Sequence, residues 1–384
     1  MELKSLSYCR FFRVIAVTLF SLSCLAAAQT LAKPHKGPGK IVVRTKFGGQ
    51  IWGFDIDQNG TEGVLADATI LNNGNTLSAI ETFDLKTGKI LKVISKTENQ
   101  DNDIVMGIVG TSAAIVEHEY VACPTCFVSK RPYRLISPLD ENKYTGLFKP
   151  PHFDKNDIMI GLSRNQGAPM AAFLVLDNIY PGFNNFVFSW DVAKNTFGKE
   201  IKMTDPNFEP YLTPVFAYDT KTNTAVLACD DGGLFSTPDI GLVDLASGKF
   251  SHFTGLGVGS ANGLAVDSED GIAVTTTNND ANVEFYDLKT KTGFAETLPG
   301  GQGRIQSGTD VEFDPIHKLF LVGQPFGPSN HSFIQVFDPK GNLIESLDFG
   351  GGGPVGLSFS YIALLPKQRS GFVGAPPGLR SFTY

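Results

Sequence analysis

Residues Val311 to Pro325 read VEFDPIHKLFLVGQP: an apolar strand, a polar turn opened by Asp314, and at once a second apolar strand. In that second strand Leu319-Phe-Leu-Val322 is apolar at consecutive positions, so both of its faces must be covered. The unit recurs as FAYDTKTNTAVLAC from Phe216, with Ala225-Val-Leu-Ala228 as its apolar run, and as LAVDSEDGIAVTTT from Leu264. Asp219, Asp267 and Asp314 are 48 and 47 residues apart, and Ser360 is the expected next member after 46.

A second element follows the first in each unit. It appears as FDLKTGK from Phe83, WDVAKNT from Trp190, VDLASGK from Val243, YDLKTKTG from Tyr286 and FDPKGN from Phe337. Each predicts a hairpin, because the Asp carboxylate accepts turn N–H groups and Gly supplies the left-handed residue of a short β-loop. From Asp84 the intervals are 107, 53, 43 and 51 residues. The first is close to two periods, and the degenerate turn Ser137 to Asn142 is the expected missing member.

A period in the range of about 40 to 50 residues is that of propeller blades. The sequence therefore predicts an all-β chain folded as a seven-bladed β-propeller, with six blades as the alternative. The units fall at 51–97, 102–149, 154–203, 210–256, 259–299, 305–349 and 354–384. The last is one strand short, and the strand Lys40 to Phe47 is expected to complete it, closing the ring by pairing the two termini. A sandwich strand would alternate instead. The aromatic content, with 30 Phe, also favours strands.

The N-terminus sets Lys4, Arg10 and Arg13 before an apolar run from Val14 to Leu25 and then Ala26, Ala27 and Ala28, the pattern of a secretory signal peptide cleaved after residue 28. Residues 29–39 are expected to be a flexible lead-in and 40–384 a single propeller domain. The mature chain is thus expected to be secreted or periplasmic, without an integral membrane segment, and monomeric. Removing the three basic residues and one acidic residue of 1–28 from the chain's 32 and 39 leaves 29 against 38, a net of −9. That sign argues against a nucleic-acid partner.

The TGK-type turns and the LAVD…DG turns resemble secreted propellers of the YVTN and NHL repeat superfamily. The resemblance covers about residues 40–384 as architecture and implies fold more than activity. Asn262-Gly-Leu-Ala-Val-Asp267 is also similar to a segment of gluconolactonase-type propellers, in which such an Asn helps hold a divalent metal in the central channel. That resemblance implies a metal-dependent lactone or ester hydrolase, but the family's early Glu has no clear match, Gln50-Ile-Trp52 standing in its place.

The leading expectation is a non-enzymatic binding or scaffold protein taking a protein, glycan or small molecule at a loop face or channel mouth, and the hydrolase is the alternative. Trp52, Asn262, Arg304 and Asp310 are the expected mouth residues, since they stand at or just before innermost strands. Asp55-Ile-Asp57-Gln-Asn59-Gly-Thr-Glu62 has the start of a calcium loop, which makes Ca or another divalent metal the cofactor to look for. Ala66 stands where the closing Glu is needed, and Asp57 also fits a plain blade turn. Cys123-Pro-Thr-Cys126 is expected to close a small disulfide loop, leaving Cys229 a buried thiol. Neither a nucleophile elbow nor a paired-histidine metal motif occurs in the sequence, and the irregular stretch 123–153 is the expected place for recognition loops.

Overall fold

In the computed structural model the described residues are 40–57, 59–99, 102–109, 112–123, 126–129, 134–136, 144–147, 157–163, 170–177, 184–191, 196–203, 215–229, 238–301, 308–351, 361–375 and 377–384. Over 99–185 the description is of the backbone, Ser163 excepted. Among them the regular elements are strands and short 3-10 turns. No described helix is long and apolar enough to cross a membrane.

The strands form seven antiparallel sheets among the described residues. The first is β2 (Gln50–Ile56), β3 (Glu62–Ile70), β4 (Thr76–Asp84) and β5 (Lys89–Asn99). The second holds β6 (Asn102–Val109), β7 (Ser112–Cys123), β8 (Cys126–Ser129), β9 (Arg134–Ile136) and β10 (Tyr144–Leu147). The third holds β11 (Asp157–Leu162), β12 (Met170–Asp177), β13 (Asn184–Asp191), β14 (Thr196–Phe197) and β15 (Ile201–Met203). The fourth is β16 (Val215–Asp219), β17 (Thr224–Cys229), β18 (Asp239–Asp244) and β19 (Phe250–Thr254). The fifth is β20 (Ala261–Asp267), β21 (Ile272–Thr277), β22 (Asn282–Asp287) and β23 (Thr292–Thr297). The sixth is β24 (Val311–Asp314), β25 (Leu319–Gln324), β26 (His331–Phe337) and β27 (Leu343–Gly351). The seventh is β28 (Ile362–Leu365), β29 (Ser370–Ala375), β30 (Gly378–Thr383) and, as its fourth strand, β1 (Lys40–Arg44).

The first strands of the sheets, β2, β6, β11, β16, β20, β24 and β28, touch one another in that order, and β28 returns to β2. This is a β-propeller: radial sheets around an axis, joined where β1 pairs with β30. The closure is Lys40↔Ser381 through Arg44↔Gly378, with a bulge between Ile41 and Val43. It removes the free edges that an open stack of sheets would expose.

The cores lie between successive sheets, which is why second strands such as β17 and β25 carry consecutive apolar residues that are buried on both faces. Phe320 and Val322 pack with Val274, Val283 and Phe285 of the fifth sheet, while Leu319 and Leu321 pack with Ile362, Leu364 and Val373 of the seventh. All six residues of β25 are buried. The runs Leu319–Val322 and Ala225–Ala228 lie on β25 and β17, the second strands from the axis, with β24 and β16 inside them.

Both Asp series hold turns. Asp219 Oδ1 accepts the N–H of Lys221 and Thr222, Asp267 Oδ1 those of Glu269 and Asp270, and Asp314 Oδ1 those of Ile316 and His317. The outer series repeats this at Asp244, Asp287 and Asp338. Turn N–H donors hold the Asp84, Asp244 and Asp287 carboxyls below the usual carboxylate range. In an antiparallel sheet the first and third connections share one end, so both series lie on one face of the ring. They interlock there: Leu85, Leu245 and Leu288 donate N–H to the carbonyls of Thr61, Asn223 and Gly271 in the inner turns.

The seventh sheet corrects one expectation. The residue equivalent to Asp314, which pairs Leu319 ahead of a left-handed Lys318, is Leu365, which pairs Ser370 ahead of a left-handed Arg369. Ser360 precedes β28 and lies outside the described residues. The segment leading into β28 is longer than the 46-residue count allowed, and Pro366 opens the turn without an Asp. The degenerate turn 137–142 also lies outside the described residues.

Candidate functional site at the inner strands

Trp52 and Asn262 occupy the same place in their sheets. Each is the extra residue of a bulge, between Ile51 and Gly53 in β2 and between Ala261 and Gly263 in β20. Ile160 does the same between Met159 and Gly161 in β11. A bulge bends the strand and re-aims one side chain, and in β20 the following Gly263 lets the neighbouring inner strand come close. A Cβ on Gly263 would sit 2.6 Å from the Val311 nitrogen and 2.8 Å from Asp310 backbone atoms. The side chain of Trp52 lies outside the described residues, as does the whole of Arg304.

Asn262 and Asp310 bridge successive inner strands. Asn262 Nδ2 donates to the Gly308 carbonyl at 2.8 Å, from the fifth sheet to the start of the sixth. Ile362 N donates to Asp310 Oδ2 at 2.6 Å, from the seventh sheet back to the sixth. Asp310 is buried, so this bond compensates a carboxylate taken out of water. Counting back from the turn aspartates, Thr309 is the counterpart of Asn262 and Trp52, and its hydroxyl donates to Gly323 O. The inner-strand starts thus vary from sheet to sheet, while the inner turns of the fourth, fifth and sixth sheets keep their Asp.

The four candidate calcium ligands divide between a strand and a turn. Asp55 is buried, with Oδ1 accepting from Ile56 N at 2.8 Å. Asp57 accepts from Thr61 N, Thr61 Oγ1 and Glu62 N, so its carboxylate serves its own turn as the other turn aspartates do, from donors one or two residues further along. Asn59 is exposed on the turn, and Glu62 opens β3 opposite Asp84. Among the described residues no group of three or more His, Cys, Asp or Glu side chains is arranged to hold a metal. Cys123 and Cys126 are directly opposed Cα partners across the two-residue link between β7 and β8, while their side chains and that of Cys229 lie outside the described residues.

The sequence reading missed a set of buried polar groups under the opposite face. Glu81, Glu284 and Gln335 each stand three residues before an outer-turn Asp, namely Asp84, Asp287 and Asp338, and all three are fully buried. Neighbouring them on the second strands are Asp67, Thr277 and Gln324, also buried. In each case the segment arriving from the preceding sheet is tied to this layer. Lys46 N and Phe47 N donate to Glu81 and Asp67, Leu256 N and Val258 N to Tyr286 Oη and Asp280, and Gln324 Nε2 donates to Pro299 O. Both carboxylate oxygens of Glu284 lack a hydrogen-bond partner. Burial, then the nearby Asp280 charge, pushes the Glu284 carboxyl well up, while burial followed by Glu284 pushes the Tyr286 hydroxyl up. The signal was in the repeat itself, SAIETFD, NVEFYD and FIQVFD aligning Glu, Glu and Gln at one position.

Neither a protein-family model nor a curated protein matches this sequence. Solved structures do. The WD40 repeats of RRP9 superpose with a TM-score of 0.59 at 12% identity, over 90% of this chain and 96% of that one. Hydrazine synthase of Kuenenia stuttgartiensis gives 0.60 at 11% identity, over 89% and 97%. Raptor of Chaetomium thermophilum gives 0.60 at 12% over 91% of this chain, which spans 29% of Raptor. At such identities the likeness is one of fold, and in fold this chain is a β-propeller.

Proposed function

We propose that this chain is an exported binding propeller whose ligand, a protein, glycan or small molecule, is taken at the inner-strand starts. The observation carrying this reading is the contrast between the two ends of the sheets. One end repeats Asp in every turn whose hydrogen bonds are described above, where the carboxylate serves the backbone. The other end places Trp52, Ile160, Asn262 and Thr309 at equivalent positions. A repeat keeps what folding needs and varies where recognition is placed on a rigid scaffold.

The chain has two tryptophans, and Trp190 is fully buried in the third sheet. A Trp190→Phe variant therefore makes Trp52 the sole indole reporter. Titrating glycans, small metabolites and peptides against its fluorescence should find a saturable change that Asn262→Ala weakens. Saturable binding that leaves Trp52 fluorescence untouched and survives Asn262→Ala would move the site elsewhere.

The competing hydrolase reading rests on the Asn262 segment. Metal analysis of purified protein, followed by lactone turnover with and without a chelator, separates the two. Stoichiometric metal with chelator-sensitive turnover would replace the binding proposal.

A further inference from the structure

The segment from Thr45 to Gly49 joins the closing strand β1 to the first inner strand β2, so it is the hinge of the ring's seam. It lies on the buried pair Asp67 and Glu81, which are 1% and 0% exposed. Lys46 N donates to Glu81 Oε2 and Phe47 N to Asp67 Oδ2, each at 3.2 Å, and Thr69 Oγ1 donates to Phe47 O at 3.3 Å. Asp67 Oδ1 and Glu81 Oε1 have no hydrogen-bond partner.

Burial outweighs the compensation on offer, which is the hydrogen bonding of Thr45, Phe47 and Gly49 at Asp67 and the backbone N–H and charge of Lys46 at Glu81. Glu81 shares its face with Leu65 and Phe83, which pack on Val43, Phe372 and Leu379 of the seventh sheet. The seventh sheet's turn contributes the Pro377 carbonyl, which accepts from Thr45 N and Oγ1. The charged groups facing the pair are the two carboxyls and Lys46 on the segment above them. Lys96 of β5 lies over the Phe47 ring at 5.0 Å, and its side chain is exposed.

We infer that Asp67 and Glu81 form a proton-operated latch on the closing seam: holding a proton, the pair keeps the segment Thr45–Gly49 bonded, and ionised at both carboxyls it releases that segment and loosens β1. Two adjacent buried carboxylates repel each other and lose hydration, and a proton relieves both penalties. Burial pushes both carboxyls up, and the Asp67 charge adds to the rise at Glu81. The sixth sheet fills the same two positions with Gln324 and Gln335, bonded to each other. The architecture therefore does not require charge there, and the ionisable pair sits at the one junction where the chain's ends are joined.

The native seam binds more protons than the opened seam at pH values between the ordinary carboxylate range and the raised values. Opening therefore becomes easier as pH rises through that window and levels off above it. Amide hydrogen exchange of the intact protein from pH 5 to 9, corrected for intrinsic rates, reads this directly. Opening of residues 40–49 relative to β25 should rise by up to about tenfold per pH unit inside the window. Glu81→Gln and Asp67→Asn should each flatten the rise. A flat wild-type profile overturns the inference whether or not the variants fold, and so does an unchanged slope in folded variants.

Discussion

The hydroxyl of Tyr384, the last residue, donates to Asp314 Oδ2 at 2.7 Å, across 70 residues and from the seventh sheet to the sixth. Asp314 is fully buried, and its other oxygen is taken by the Ile316 and His317 N–H groups of its own turn. His317 Nδ1 lies 2.7 Å from Oδ2 as well. One carboxylate thus holds an inner turn and pins the end of the chain. Burial and the hydrogen bond to Asp314 push the Tyr384 hydroxyl above its ordinary range, so it stays a donor.

Tyr384→Phe should destabilise the protein by about 1.5–3 kcal/mol, the usual worth of a hydrogen bond to a charged group, with the ring contact to Phe382 kept. Chemical denaturation measures it. A loss within error of zero would mean that His317 or water alone satisfies Asp314.

Lys318 reaches back from the sixth sheet to the fifth. Its Nζ lies 2.9 Å from Asp267 Oδ1, 2.6 Å from Glu269 Oε2 and 3.6 Å from Asp270 Oδ2. Asp267 is buried, whereas Lys318 is about a third exposed, so solvent screens part of the attraction. Lys318→Met should cost about 1–2 kcal/mol, most of it from the carboxylate left behind. The Lys318→Met/Asp267→Asn double variant should recover part of that loss. Strict additivity of the two single losses would remove the coupling.

Glu284 should make stability depend on pH. Its folded-state carboxyl titrates well above its ordinary value, so the native state binds more protons than the unfolded chain between the two. Stability then falls as pH rises through that window, by roughly 1.4 kcal/mol per unit, and levels off above it. Glu284→Gln, which copies Gln335 of the next sheet, should be more stabilised relative to wild type at pH 8 than at pH 5. Parallel melting curves for the two proteins across pH would refute this assignment.

Gly88 clamps the closing strand. Its φ is +69°, and a Cβ there would lie 2.0 Å from the Val42 carbonyl oxygen. Gly88→Ala meets both the left-handed penalty of about 1–2 kcal/mol and that clash. It should loosen β1 before the rest of the ring, seen as faster amide exchange at 40–44 with β25 unchanged. Uniform loss across all sheets would show that the seam is not an independent unit.

Much of this was legible because turns are local. An Asp followed within five residues by a left-handed residue fixes a hairpin with its own backbone, so Asp84, Asp219, Asp244, Asp267, Asp314 and Asp338 could be located by spacing. Doubly apolar runs such as Leu319–Val322 demanded sheets on both sides. Together these pointed to repeated antiparallel strand units and to a closing strand expected over Lys40 to Phe47, of which the structure pairs Lys40–Arg44 with the C-terminal strand and turns away at Thr45. The slip at Ser360 arose where the turn lost its Asp and the connecting segment lengthened, leaving only a count to extrapolate.

What the tertiary structure alone decided are contacts between residues far apart in the chain. No local pattern states that Tyr384 meets Asp314, that Gly263 packs on Asp310, or that the segment after β1 lies on Asp67 and Glu81. A strand's alternation shows which side chains share a face. Whether a buried acid there is bonded, unpaired or shared with a neighbouring sheet depends on the segment that crosses above it, and that is set by how the sheets close around the axis.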